Sequence, residues 1–254
     1  MDTIKISKGK TLMVAHAGLQ GLEAANTAAG FIAAGNRSYW GVECDVRAAK
    51  DGMAVLHDPT TANISPVDIS VADSTMAELQ SIPLYDAPMF YGMEQFGLTP
   101  GCRELRADLR IPSLEEYVRI CKHYGKICVL ELKNPMEPAV IAYVADVYRR
   151  LDYVEGVVFI SFYRENLVEI RKHFPDCTVQ FLTDEKREFT DEFLDGIAAD
   201  GYDLDIHIFT TTKELVERIH GRGIKVNVWT CDWTDRATDL VEWGVDYITS
   251  NILE

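Results

Sequence analysis

Residues 14–31, VAHAGLQGLEAANTAAGF, start in an apolar run, pass a histidine at 16 and two glycines, and enter an alanine-rich segment. The run TLMVAH (11–16) reads as a buried strand with His16 at its end, and TAAGFIAAG (27–35) reads as a helix weakened by Gly30. The stretch is therefore one strand–turn–helix unit with a titratable ring where the strand stops. The fold depends on whether the unit repeats.

It does repeat. Further strands are expected at YWGVECDV (39–46), ICVLEL (127–132), VVFIS (157–161), CTVQFL (177–182), YDLDI (202–206), IKVNVWT (224–230) and VDYIT (245–249). Helical patterns lie between them at 113–125, 136–150, 163–173, 189–199, 212–222 and 234–243. In the first of these, Ser113 and Glu116 have the spacing of a capping box behind Pro112. Gly223 and Gly244 stand just past helices, where a left-handed residue is wanted. Eight strands alternating with helices in one chain predict an α/β fold, a closed parallel (β/α)8 TIM barrel. An open doubly wound sheet would carry a glycine-rich GxGxxG loop, and none occurs.

The chain of 254 residues is read as one domain. Residues 59–110 break the alternation with Pro66, Pro83, Pro88 and Pro100, and show only a weak helix near 73–80. They are expected to form an inserted subdomain or a lid after the second strand. Within them, Met89, Phe90 and Tyr91 could pack in a core or meet an acyl chain.

A formal net charge of -15 repels nucleic acid and anionic lipid surfaces, which leaves a small-molecule ligand. The six cysteines are scattered, with no CxxC pair, and are expected to be reduced and mostly buried. No apolar run approaches the roughly 18 residues of a membrane span, and no signal-peptide core opens the chain. The reading is a soluble, cytoplasmic protein, with homo-oligomerisation left open.

In such barrels the chemistry sits at the C-terminal strand ends. The first strand ends in His16, the second in Glu43 and Asp45, the third in Glu131 and Lys133, and the seventh near Trp229. Residues two apart share a strand face, so Glu43 pairs with Asp45 and Glu131 with Lys133. Three carboxylates converging on the interior need protons or a cation between them. Hard oxygen ligands select Mg2+ or Ca2+. The stretch KDGMAVLHD (50–58) reads as a hairpin leaning back on the second strand, which returns His57 to the same mouth. Two histidines beside a divalent ion suit proton transfer in both directions at a phosphoryl centre, with Lys133 as a further positive contact. Of the other histidines, His123, His173 and His220 are expected on the surface and His207 in a structural role, while Asp232 and Trp233 could reach a ligand. Cys44, between the two acids, should face the helices.

The order and spacing of AHAG (15–18), ANTAAGF (25–31), GVECDV (41–46), KDGMAVLHD (50–58), IPSLEEYV (111–118), LELK (130–133), ISF (160–162), GIKVNVWT (223–230) and GVDYITS (244–250) resemble the glycerophosphodiester phosphodiesterase family, a metal-dependent TIM-barrel family. The resemblance implies hydrolysis of a phosphodiester substrate to glycerol phosphate and an alcohol. It implies His16 and His57 as the acid/base pair, Glu43, Asp45 and Glu131 as metal ligands, and Lys133 as a phosphate contact, with Phe162 and Trp229 lining the pocket. Two positions depart from the family pattern. Ala17 stands where arginine is usual and Ala25 where glutamate is usual, with Arg47 a candidate to replace the first. Two alternatives follow from these departures and from the shared architecture. One is a non-catalytic phosphodiester-binding barrel, and the other is a phospholipase D-like enzyme acting on lysolipid headgroups.

Overall fold

The structure, a computed structural model, describes residues 2–86 and 104–254. The expected alternation is present. The strands are β1 (Leu12–Ala15), β2 (Gly41–Ala48), β3 (Met53–Val55), β4 (Leu84–Tyr85), β5 (Leu105–Arg106), β6 (Ile127–Leu132), β7 (Val157–Ser161), β8 (Thr178–Leu182), β9 (Asp203–His207), β10 (Val226–Trp229) and β11 (Tyr247–Ser250). The helices are α1 (Ala28–Gly35), α2 (Met76–Ser81), α3 (Leu114–Tyr124), α4 (Pro138–Arg150), α5 (Arg164–His173), α6 (Asp191–Ala199), α7 (Lys213–His220) and α8 (Thr234–Glu242).

The strands β1, β2 and β6 to β11 pair in parallel, and β1 closes the ring by pairing with both β2 and β11. Two apolar layers result. Val14, Val129, Val158, Ile160 and Leu182 fill the barrel interior, and a larger cluster packs the strands against the helices. Cys44 belongs to the outer layer, as the alternation along β2 requires. The five described cysteines are free, and Cys102 lies outside the described residues.

Local chemistry accounts for the element ends. Ser113 Oγ accepts the Glu116 amide, but the Glu116 carboxylate pairs with Arg110 Nη2 at 2.6 Å, so only half of the expected capping box forms. A complete box caps α2, through Thr75 and Glu78. Gly223 and Gly244 both adopt positive φ.

β3 folds back antiparallel on β2, Val55 opposite Val46, as the hairpin reading expected. The described parts of the 59–110 segment add α2 and the short β4–β5 pair over a separate apolar cluster that includes Leu56, Val71, Leu79 and Ile111. Arg106 ties this segment to the loop after β1, with Nη1 2.7 Å from Glu23 Oε2. Met89, Phe90 and Tyr91 lie outside the described residues.

Candidate active site

Register builds the acidic group. Asp45 of β2 stands opposite Glu131 of β6, and Glu43 stands opposite the interior residue Val129. Both acids of β2 therefore point inward beside Glu131. One oxygen from each of Glu43, Asp45 and Glu131 lies within 4.8 Å of the others, and all three residues are buried. Lys133 Nζ sits among them, 2.9 Å from Glu131 Oε1 and 3.5 Å from Asp45 Oδ1.

The electrostatics follow from that crowding. Burial, together with the charge on Asp45, pushes the Glu43 carboxyl well above its ordinary range. The same two effects push Glu131 up to about 8. Burial also acts to raise Asp45, but Lys133, His57 and the Asn26 amide outweigh it and hold Asp45 low. In Lys133 burial favours the neutral amine, and the neighbouring Asp45 and Glu131 outweigh it. The set thus holds negative charge at a cost. Lys133 is the one cation that meets Glu131 Oε1 among the described residues. Three buried carboxylates facing one another, an all-oxygen donor set, fit a hard divalent cation.

Each neighbouring loop fixes one piece. Ala17 adopts φ 47, which aims its amide at Glu43 Oε2, 2.7 Å away. Asn26, also left-handed at φ 55, grips Asp45 twice. Its Nδ2 donates to Asp45 Oδ2 at 2.7 Å, and its Oδ1 accepts the Asp45 amide at 3.1 Å. Asparagine tolerates this backbone better than most residues. Arg47 is not among the residues lining the cavity, and its Nε donates to the His57 carbonyl at 2.7 Å.

The two histidines are held alike. Asn251 Nδ2 donates to Asp232 Oδ2, which leaves Asn251 Oδ1 facing His16 Nδ1 at 2.7 Å. Since that oxygen can only accept, His16 carries its proton on Nδ1 and presents Nε2. His16 Nε2 lies 3.9 Å from Glu43 Oε2. His57 Nδ1 is 2.7 Å from Asp58 Oδ1, and Asn63 Nδ2 donates to Asp58 Oδ2. His57 is also exposed, at 62% of its side chain.

Both histidines open on one cavity of about 770 Å³, which Ala17, Asn26, Asp45, Trp229, Asp232 and Asn251 also line. Ala25, Asn63 and Ile64 line it too, so the 59–110 segment contributes to the wall. Phe162 packs edge-on to Trp229, with centroids 5.9 Å apart. Beneath the mouth, Asp205, Gln180, Asn227 and Thr249 form a buried polar group, and Asp205 Oδ1 has no hydrogen-bond partner. Burial raises the Asp205 carboxyl well above its usual range, helped by Glu43 and Glu131.

The sequence reading did not assign Asn26, Asn251, Asp58 or this inner polar group. Period-two alternation back from Trp229 places Asn227 on the interior face and was a usable signal. His207 lines the cavity, as do Asp232 and Trp233. His123 and His220 are exposed and His173 is half-buried.

The model of the Glycerophosphoryl diester phosphodiesterase family matches residues 16–253. The chain belongs to that family. Membership makes it a hydrolase of glycerophosphodiesters. The glycerophosphodiester phosphodiesterase of Caldanaerobacter subterraneus subsp. tengcongensis is 26% identical over 245 residues, covering 95% of this chain and 94% of that protein. The one from Bacillus altitudinis is 27% identical, covering 94% and 93%. Among solved structures, the Oleispira antarctica phosphodiesterase, in complex with the product sn-glycerol-3-phosphate, superposes with a TM-score of 0.78 at 22% identity, over 95% of this chain and 93% of that one. A glycerophosphodiester phosphodiesterase from Parabacteroides distasonis gives 0.73 at 22%, over 96% and 94%. No described helix of this family member is long and apolar enough to cross a membrane.

Proposed function

We propose that this chain cleaves glycerophosphodiesters to glycerol phosphate and an alcohol, with His16 and His57 as the proton-transfer pair. The observation that carries this is the cavity onto which both imidazoles open together with Asp45, one of three buried carboxylates whose oxygens lie within 4.8 Å of one another. Glu43, Asp45 and Glu131 would hold one divalent cation, Mg2+ or Ca2+. Such an ion, when bound, stabilises negative charge on phosphoryl oxygens. Lys133, whose Nζ pairs with Asp45 and Glu131, would supply a positive contact to a phosphate oxygen. Trp229, with Phe162 packed edge-on against it, gives an apolar wall for the carbon skeleton of the substrate.

Each histidine has its Nδ1 engaged, so Nε2 is the nitrogen available to exchange a proton. One imidazole takes the proton of the attacking hydroxyl, and the other, as imidazolium, gives one to the departing alcohol oxygen. Asn251 and Asp58 keep the rings oriented through that cycle. We read residues 59–110 as an inserted subdomain of a single barrel domain, because Asn63 reaches Asp58 behind His57. The described cysteines, free and largely buried, accord with a cytoplasmic enzyme.

The test is turnover of glycerophosphocholine and glycerophosphoethanolamine with and without EDTA. Metal removal should abolish turnover, Mg2+ or Ca2+ should restore it, and His16→Ala should lower kcat by about 10²–10⁴-fold. Turnover that survives both complete metal removal and His16→Ala overturns the reading. Binding without turnover of any diester would make the chain a non-catalytic binding barrel.

A further inference from the structure

Beyond the Phe162–Trp229 ring pair, the rings continue in a series. The His207 ring lies 4.9 Å from Trp229 at 83°, and Phe209 lies 5.1 Å from His207 at 64°. His207, Phe209 and Trp233 all line the cavity that holds the two candidate catalytic histidines. Phe209 is 68% exposed, on the short helical turn Ile208–Thr210 that follows β9. A single exposed apolar ring is ordinary on a protein surface. A ring that ends an aromatic series leading out of a candidate active site has a more specific use.

We propose that His207, Phe209 and Trp233 form a subsite for a cationic headgroup of the quaternary-ammonium type, so that the preferred diester carries a choline-like alcohol. The proposal rests on the phosphodiesterase reading above and names its substrate more closely.

Charge decides between headgroups. Among the described residues lining the cavity there is no lysine or arginine, whereas Asp45, Asp58 and Asp232 are present. Asp184 and Glu185 act on His207 from an exposed turn whose next two residues, Lys186 and Arg187, balance their charge, so the negative character of the subsite comes from the lining aspartates. His207 itself does not act as a competing cation. Its Nδ1 accepts the Phe209 amide at 3.4 Å, and burial lowers its pKa against the pull of those two acids. Ala17, on the same cavity, carries no charge either.

A quaternary ammonium has no N–H to donate, so it needs no matching acceptor. Aromatic faces in a negative field attract it. A neutral polyol headgroup gains no comparable attraction from the aromatic faces, and the exposed Phe209 ring offers its hydroxyls no hydrogen-bond partner. An anionic headgroup would meet carboxylates.

Metal-supplemented enzyme is assayed with glycerophosphocholine, glycerophosphoglycerol and glycerophosphoserine. The choline diester should be preferred over the glycerol diester by about tenfold in kcat/KM. Phe209→Ala should reduce that ratio to about twofold, mainly through KM, because the ring is exposed and its loss leaves the fold intact. Phe209→Leu keeps an apolar group without the π face, so it should behave like Phe209→Ala, and Phe209→Trp should retain the preference. Equal turnover of the choline and glycerol diesters, or a ratio unmoved by Phe209→Ala and Phe209→Leu, overturns the proposal. Tryptophan fluorescence titrated with tetramethylammonium reads the subsite without catalysis. Saturable quenching that weakens in Phe209→Ala supports it, and no saturation overturns it. If none of the diesters turns over, the catalytic reading fails, and the titration still decides the subsite.

Discussion

At the scale of single residues, the acidic group separates structural from chemical roles. Glu43 is buried beside Asp45, and its carboxyl is pushed well up by burial and that neighbouring charge. A neutral amide of the same shape relieves the repulsion and can still accept the Ala17 amide through its oxygen. Glu43→Gln should therefore leave the metal-free protein as stable as the wild type or slightly more so. Metal affinity should fall, because a neutral carbonyl replaces a charged ligand. The measurement is thermal melting with and without excess Mg2+ or Ca2+. The wild type should gain stability with metal as RT ln(1 + [L]/Kd), and the variant should lose most of that gain. An equal drop in apo stability and metal response would make the carboxylate a structural residue.

At the scale of elements, the loop from β1 to α1 joins the two ends of the chain's chemistry. Gly21 donates its amide to the Asn251 carbonyl at 2.8 Å, and a Cβ at position 21 would stand 2.4 Å from that same oxygen. Gly21→Ala must push the loop off the end of β11. Overpacking of this kind costs about 1–3 kcal/mol, read as a shift in the denaturant midpoint. Because Asn251 orients His16, kcat should fall in the same variant by more than stability alone explains, measured well below its melting temperature. Unchanged kcat would separate the loop from the histidine. The alternation of strands and helices was legible in the sequence because barrel strands are buried on both faces and read as short apolar runs with polar ends. The acids of β2 and β6 and the hairpin carrying His57 were legible for the same reason. Asn251 was not legible, since nothing in the local stretch 247–251 reveals that its side chain reaches His16, 235 positions away in sequence. The inner group around Asp205 runs against the rule that barrel interiors are apolar. The β4–β5 strands have two residues each, too few for any period to show. Glu116 was taken from its cap by Arg110, a competition that capping spacing alone does not reveal.

At the scale of the whole molecule, the chain's two ends are fastened together below the barrel. Ile4 bridges to Leu253 in parallel, and the Ile6 amide donates to the Glu254 carbonyl at 3.0 Å. The Glu254 side chain is almost wholly buried and is held from three directions. Thr3 Oγ1 and the Ser38 amide each donate to it at 2.5 Å, and Lys5 Nζ lies 2.7 Å away. Burial acts to raise this carboxyl, but Lys5, Thr3 and Ser38 outweigh it and lower it from 4.5 to about 2. The folded state therefore binds this proton less readily than the unfolded chain. The resulting stabilisation is fully present above about pH 4.5 and is lost as pH falls toward 2. Its size is about 2 kcal/mol, below the full linkage value because Lys5 is largely solvated. Glu254→Gln should lower stability by about that amount at pH 7, and the gap between variant and wild type should close progressively between pH 4.5 and 2. Urea midpoints at pH 7, 5 and 3 measure this. A gap that stays constant across those values would mean that the carboxylate acts through packing and not through charge, and that the ends of the barrel are closed by backbone pairing alone.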